Sequence, residues 1–172
     1  MPIEVKSQPI PGVRSSGEAL LESQSASIAA SPIGRAIGGL CELIPIKIGG
    51  IKLSYLLFGP VVIPFALAGW AINLVTGNKY VLTNRHVQIR RLWGGAMSRQ
   101  LPLAEIADVV IHVQPGQEFY YAGDLHLVNA KGESLLSLPG VVRPDRLRHA
   151  ILEARDSRLQ NDAALKVIQA RK

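Results

Sequence analysis

Acidic residues are absent from Leu43 to Ala104, while the same window holds Lys47, Lys52, Lys79, Arg85, Arg90, Arg91 and Arg99. The net charge of +6 is thus concentrated around one region of the chain. Inside that window lies a further absence. Ser54 to Gly77, SYLLFGPVVIPFALAGWAINLVTG, contains no Lys, Arg, Asp, Glu or His. Basic residues beside a charge-free apolar run read as lipid-facing and topology-setting, which sets nucleic acid aside as the partner of the basic balance. Cysteine is nearly absent as well. The single Cys41 cannot close an internal disulfide, so nothing points to an oxidising compartment.

Several chemistries are also missing. Glycines come in pairs at turns, with no GxGxxG and no P-loop to cradle a phosphate. No Ser or Cys belongs to a recognisable His–acid constellation. Of the four histidines, His86, His112, His126 and His149, the middle two fall on polar faces of two expected strands and can approach each other. A zinc site needs three or four ligands, and no cysteine or Asp–His spacing completes one. Glu118 and Asp124 flank Phe119-Tyr120-Tyr121. With no third group and no implied cleft, they read as solvated loop charges rather than a glycosidase-like pair. The expectation is a chain without catalytic residues, metal or cofactor.

What is present begins with the apolar stretch itself. About 24 helical residues at about 1.5 Å each reach about 36 Å, enough to cross a hydrocarbon core of about 30 Å with some tilt. Tyr55 near one end and Trp70 nearer the other suit the headgroup regions. Residues 54–77 are therefore expected to form a single transmembrane helix. A buried helix of a soluble protein is the alternative, disfavoured by the length without a charge. Pro60 and Pro64 each remove a backbone donor. A helix starting near Pro60 would put both in its first turns; a re-entrant hairpin around Gly59–Pro64 is the competing arrangement. Gly69, Asn73 and Gly77 recur at four-residue intervals with Ala66 on the same side, and small residues so spaced let another helix approach closely. Trp70 adjoins them. These five residues form the expected packing face toward other membrane subunits, with a hydrated Asn73 at interface depth as the alternative.

Residues 1–31 are rich in Ser, Pro, Gly and Ala, which predicts a flexible N-terminal arm. The first residues lack a basic n-region followed by an apolar run, so no cleaved signal peptide is expected and the apolar stretch should persist as an anchor. Ser31-Pro32 has the form of a helix start. Ile33, Ile37, Leu40, Cys41 and Ile44 follow at helical spacing, weakened by Gly34, Gly38 and Gly39 and ended by Pro45. Residues 32–53 read as an amphipathic segment on a membrane surface or a partner, or else as a linker.

After Gly77 the pattern becomes β-like. Lys79–Leu82 and His86–Leu92 flank a Thr-Asn-Arg turn, with Val87 and Ile89 on one face and His86, Gln88 and Arg90 on the other. Arg99–Leu103, Val109–Val113, Glu118–Tyr121, Asp124–Asn129 and Glu133–Leu138 are the further expected strands, with Asn129–Gly132 as a hairpin loop. Ala104–Asp108 reads as a turn or short helical bend, and Pro139-Gly140 as a terminator. A helix is expected from Pro144, with Leu147, Ile151 and Ala154 as its apolar stripe and residues 157–172 as a helical tail.

The motif KYVLTNRHVQIRR resembles the opening hairpin of bacterial pleckstrin-homology-like (PH-like) domains found in small membrane proteins. LPLAEIADVVIHV and GDLHLVNAKGE resemble later parts of the same fold, so the likeness covers roughly Gly77 to Arg155. The resemblance implies an α+β, mainly β, fold over residues 78–156: an antiparallel sandwich or barrel capped by the C-terminal helix. It departs from many relatives in having one safe span where they have two. Such domains also occur in proteins that accompany bacterial photosynthetic reaction centres. The resulting expectation is a membrane-anchored structural or assembly subunit of a larger membrane complex, possessing no enzymatic activity. A tethered module binding anionic lipid headgroups is the alternative. Lys79, Arg85, Arg90 and Arg91 would serve either weak headgroup contact or topology, and Phe119, Tyr120 and Tyr121 either a docking edge or core filling. The basic flank after the span predicts the bacterial inner membrane with the domain cytoplasmic.

Overall fold

Alternating apolar residues build two antiparallel sheets whose inner faces meet. A computed structural model describes residues 18–44, 47–48 and 51–170. In chain order the elements are β1 (Leu20–Ser25), α1 (Pro32–Glu42), β2 (Lys47–Ile48), β3 (Ile51–Lys52), α2 (Leu53–Thr76), β4 (Asn78–Thr83), β5 (His86–Arg91), β6 (Met97–Pro102), β7 (Asp108–His112), β8 (Ala122–Val128), β9 (Ser134–Val142) and α3 (Pro144–Ala170). The first sheet has the order β1-β4-β5-β6, the second β7-β8-β9, and β2 pairs with β3. Tyr80, Leu82, Val87 and Ile89 from the first sheet meet Val109, Leu125, Leu127 and Leu138 from the second. Leu147, Ile151 and Ala154 of α3 close one end, as the expected stripe requires.

The expected arm ends earlier than residue 31. Leu20–Ser25 is an edge strand, with Ser23 opposite Val81 and Ser25 opposite Lys79. Its serines and glutamate are exposed or half-buried, which is why the composition reads as disordered although the backbone completes a ladder. Residues 1–17 lie outside the described residues, as does Pro45, expected to end α1. The helices therefore interrupt the first sheet: the chain leaves it at Ala26 and re-enters at Asn78, with Ala26 N donating to Asn78 O over 2.8 Å.

Helix α1 is docked on its own domain. Ser31 caps it by accepting from Gly34 N. Gly34, Ile37, Gly38 and Cys41 are buried, whereas Ile33 and Leu40 are exposed. The glycines are thus the contact face. A Cβ on Gly38 would lie 2.0 Å from the Gly116 carbonyl oxygen, and one on Gly116, at φ +83°, 2.0 Å from that of Arg35. Two backbones touch here. A buried polar network ties the same junction to β8. Asp124, 5% exposed, accepts from Gln117 Nε2 at 2.6 Å, from Gly140 N at 2.8 Å and from Gln114 Nε2. Arg35 in turn donates to Gln114. A buried carboxylate so surrounded is stable because both of its oxygens accept hydrogen bonds.

Other expectations shift for local reasons. Pro139-Gly140 does not end a strand; β9 runs through it to Val142, with an irregularity opposite Asp124. Gly140, at φ +65°, makes that bulge possible, and its carbonyl receives Ser27 N at 2.9 Å. Glu118–Tyr120 is a single 3-10 turn rather than a strand, closed by Tyr121 in the left-handed region at φ 50°. Pro60 and Pro64 lie inside one continuous α2, not in its first turn, and no hairpin forms around them. Helix α3 continues past the domain, where Leu159, Val167 and Ile168 are exposed and extend no stripe.

Candidate membrane-facing surface

Helix α2 carries no charged residue from Leu53 to Thr76. Among its described side chains, Phe65 is 63% exposed, Leu67 61% and Trp70 57%, and Ile63, Ile72 and Val75 are similarly open. Phe58, Ala66, Gly69 and Asn73 are half-buried along one strip, on a helix that packs against α1. Water is a poor solvent for the remaining sides, and an exposed apolar surface of this kind marks an interaction face. Among the described residues, no helix is long and apolar enough to cross a membrane. The single crossing expected over 54–77 is therefore not found.

The five expected packing residues have different surroundings. Asn73 Nδ2 donates to Ala26 O at 3.1 Å, and Asn73 O accepts from Gly77 N at 2.8 Å. Gly77 is buried, and a Cβ there would fall 2.2 Å from Asn73 O. Asn73 fastens the end of α2 to the residue that follows β1, and Gly77 closes on Asn73. Gly69 differs, since a Cβ there would meet nothing within 4 Å. Ala66 is half-buried and Trp70 open.

The basic residues separate into two groups. In the β4–β5 ladder Lys79 pairs with Arg90 and Asn78 with Arg91, next to the end of α2. Arg85 lies in the turn at the other end of the hairpin. Arg90 is engaged: its Nε and Nη2 donate to Gln88 Oε1 at 3.0 and 2.7 Å. Gln88 Nε2 donates in turn to Glu18 Oε1 at 3.0 Å, with the Thr83 hydroxyl 2.7 Å from the same oxygen. Hydrogen bonds from Thr83 and His86 hold the Glu18 carboxyl below its ordinary value, against a smaller opposing effect of burial. Glu18 explains why Gln88, expected on an outer polar face, is 1% exposed.

Sequence reasoning passed over Trp93. It sits in the β5–β6 turn, 73% exposed, with Gly94 and Gly95 at positive φ. Leu92 N donates to Gly77 O at 2.8 Å, which fixes this turn beside the C-terminal end of α2. The signal was available in Trp-Gly-Gly, a large ring in a turn that has no room to bury it. Trp93 and Lys79 thus border the apolar helix, the pairing of aromatic and basic groups that suits a headgroup region.

Phe119, Tyr120 and Tyr121 are divided as well. Phe119 and Tyr120 meet edge to face at 4.8 Å, and the 118–120 turn packs on α1. Tyr121 is 80% exposed. The Tyr120 hydroxyl is enclosed and has no hydrogen-bond partner among the described residues. Burial, and secondarily Cys41, push its pKa from 10.0 up to about 12. Burial and then Asp124 raise Tyr80 in the same direction. A raised folded-state pKa adds stability that is fully present below pH 10 and is lost as pH climbs toward about 12. Tyr120→Phe removes the unsatisfied hydroxyl and that alkaline loss together. The variant is expected to gain up to about 1 kcal/mol at neutral pH and to lose less stability between pH 10 and 12, as read by denaturant titration at several pH values. A less stable variant would show that the hydroxyl is bonded.

His112 and His126 do approach, edge to face at 6.4 Å between ring centroids. No group of three metal-ligating side chains occurs among the described residues. A cleft of about 390 Å³ between β1 and α3 is lined by Leu21, Glu22, Asn84, Glu153 and Arg158, among others.

A four-stranded and a three-stranded antiparallel sheet closed by a C-terminal helix define a PH-like domain. The family model for the bacterial PH domain matches residues 43–155, and the chain belongs to that family. No curated protein and no solved structure matches the chain. The matched stretch begins after α1, so β1 and α1 lie outside it while completing the first sheet and its packing.

Proposed function

We infer that this protein is a non-catalytic, membrane-attached PH-like domain acting as a structural or assembly subunit of a larger membrane complex. One observation carries the reading: an apolar helix with exposed side chains is built into the sheet of the domain instead of being tethered by a linker. A rigid connection of this kind holds a domain at a fixed distance from the bilayer, which suits a scaffold. The basic residues support topology over headgroup specificity. Arg90 is bonded to Gln88 and Arg85 is remote, so Lys79 and Arg91 remain beside the helix. On the positive-inside rule they favour the cytoplasmic face of the bacterial inner membrane.

Gly69 supplies the test, because its open side tolerates a larger residue without disturbing the fold. Gly69→Leu is expected to reduce recovery of associated subunits several-fold in mild-detergent purification at matched expression, with thermal stability unchanged. Asn73→Leu is a poorer choice, since it also breaks the bond to Ala26. Full recovery with Gly69→Leu would remove α2 from the subunit contact.

A further inference from the structure

Resting on the membrane reading above, we propose that α2 is a monotopic anchor: it is embedded in the leaflet next to the domain and never emerges on the far face. The argument is topological. Ser25 pairs with Lys79, Ala26 N donates to Asn78 O, and Asn73 Nδ2 donates to Ala26 O. Both ends of the 26–77 insertion are thus held together on one folded domain. A segment that starts and finishes at one point crosses a bilayer an even number of times, zero or two.

Two crossings need two spans of about 20 residues each. Among the described helices of this insertion, only α2, with 24 residues, has that length. Helix α1, 11 residues long, reaches about 16 Å, and it is committed elsewhere, with Gly38 against Gly116 and Arg35 bonded to Gln114. The connection from Leu43 to Lys52 is too short for a helical span. An extended return through lipid would leave backbone groups unpaired. It also turns back on itself, since Lys47 pairs with Lys52 and Ile48 with Ile51. Zero crossings remain. The helix lies along the membrane, with Lys47 and Lys52 at its start and Lys79, Arg91 and Trp93 near its end, all on the domain's side. Its open apolar sides contact acyl chains, and the helix packs against α1 on the domain's side.

The test places single cysteines at Lys52 and Lys131 in a Cys41→Ala background. Lys131 lies in the exposed β8–β9 loop and reports the domain side. Sealed vesicles of both orientations are treated with a membrane-impermeant maleimide. Absence of far-face labelling at Lys52→Cys, in the orientation where Lys131→Cys is also protected, is the expected result. Far-face labelling of Lys52→Cys overturns the proposal and leaves the membrane reading intact. Protein that fails to sediment with the vesicles overturns both. Trypsin treatment of the unaltered chain covers the case where the Cys41→Ala background misfolds: protease on the far face should cut nothing, and cleavage there at Lys47 or Lys52 contradicts the proposal.

Discussion

Gly38→Ala is expected to lower stability by about 3 kcal/mol, while Gly39→Ala, one residue along the same helix, leaves it unchanged or raises it by up to about 1 kcal/mol. The difference lies in what each methyl meets. At Gly38 it would fall 2.0 Å from the Gly116 carbonyl oxygen; at Gly39 nothing lies within 4 Å. The obstacle is backbone, which cannot rotate away, so α1 must lift. Lifting exposes Ile37 and Cys41, buried at 7% and 6% exposure, and separates Arg35 from Gln114. Burying one isoleucine is worth about 1.5–3 kcal/mol, and a hydrogen bond to a charged group about 1.5–3. Denaturant midpoints of the two variants, with proteolysis at Arg35 as a local probe, measure the contrast. Equal effects at both glycines would mean that α1 is not docked as described.

The second large effect concerns α2. Phe65→Asp combined with Ile72→Asp is expected to reduce binding to protein-free phospholipid vesicles on the order of a thousandfold, because each acid costs about 2.5 kcal/mol or more in hydrocarbon. Both side chains are exposed, so the sandwich should retain its near-native circular dichroism. Flotation on a density gradient separates bound from free protein. Undiminished flotation of the double variant would show that these faces do not touch lipid.

The sandwich was largely legible because small β domains write their burial into alternation. Val87 and Ile89 inward, Val109 inward, and the Asn129–Gly132 loop with Asn129 N donating to Glu133 O all follow from local pattern. Strand β1 was not legible. Its residues are polar and small, and only pairing with β4, more than 50 positions away in the chain, makes it a strand. Gly34 and Gly38 were visible but read as helix-weakening; propensity counts the entropy of a glycine and ignores the close approach it permits. The bond from Asn73 to Ala26 was hidden along with β1, since that strand places Ala26 beside the end of α2. The missing β1 also concealed the topology. Without it, α2 looks like a simple crossing between an arm and a domain; with it, both ends of the insertion return to one sheet.

The central claim is that the helix inserted between β1 and β4 attaches a bacterial PH domain to lipid. Alkaline carbonate extraction of membranes from cells expressing the full chain tests it most directly. Retention of the protein in the membrane pellet, with loss of retention in the Phe65→Asp/Ile72→Asp variant, is the predicted result. Release of the unaltered, folded chain into the supernatant would contradict it.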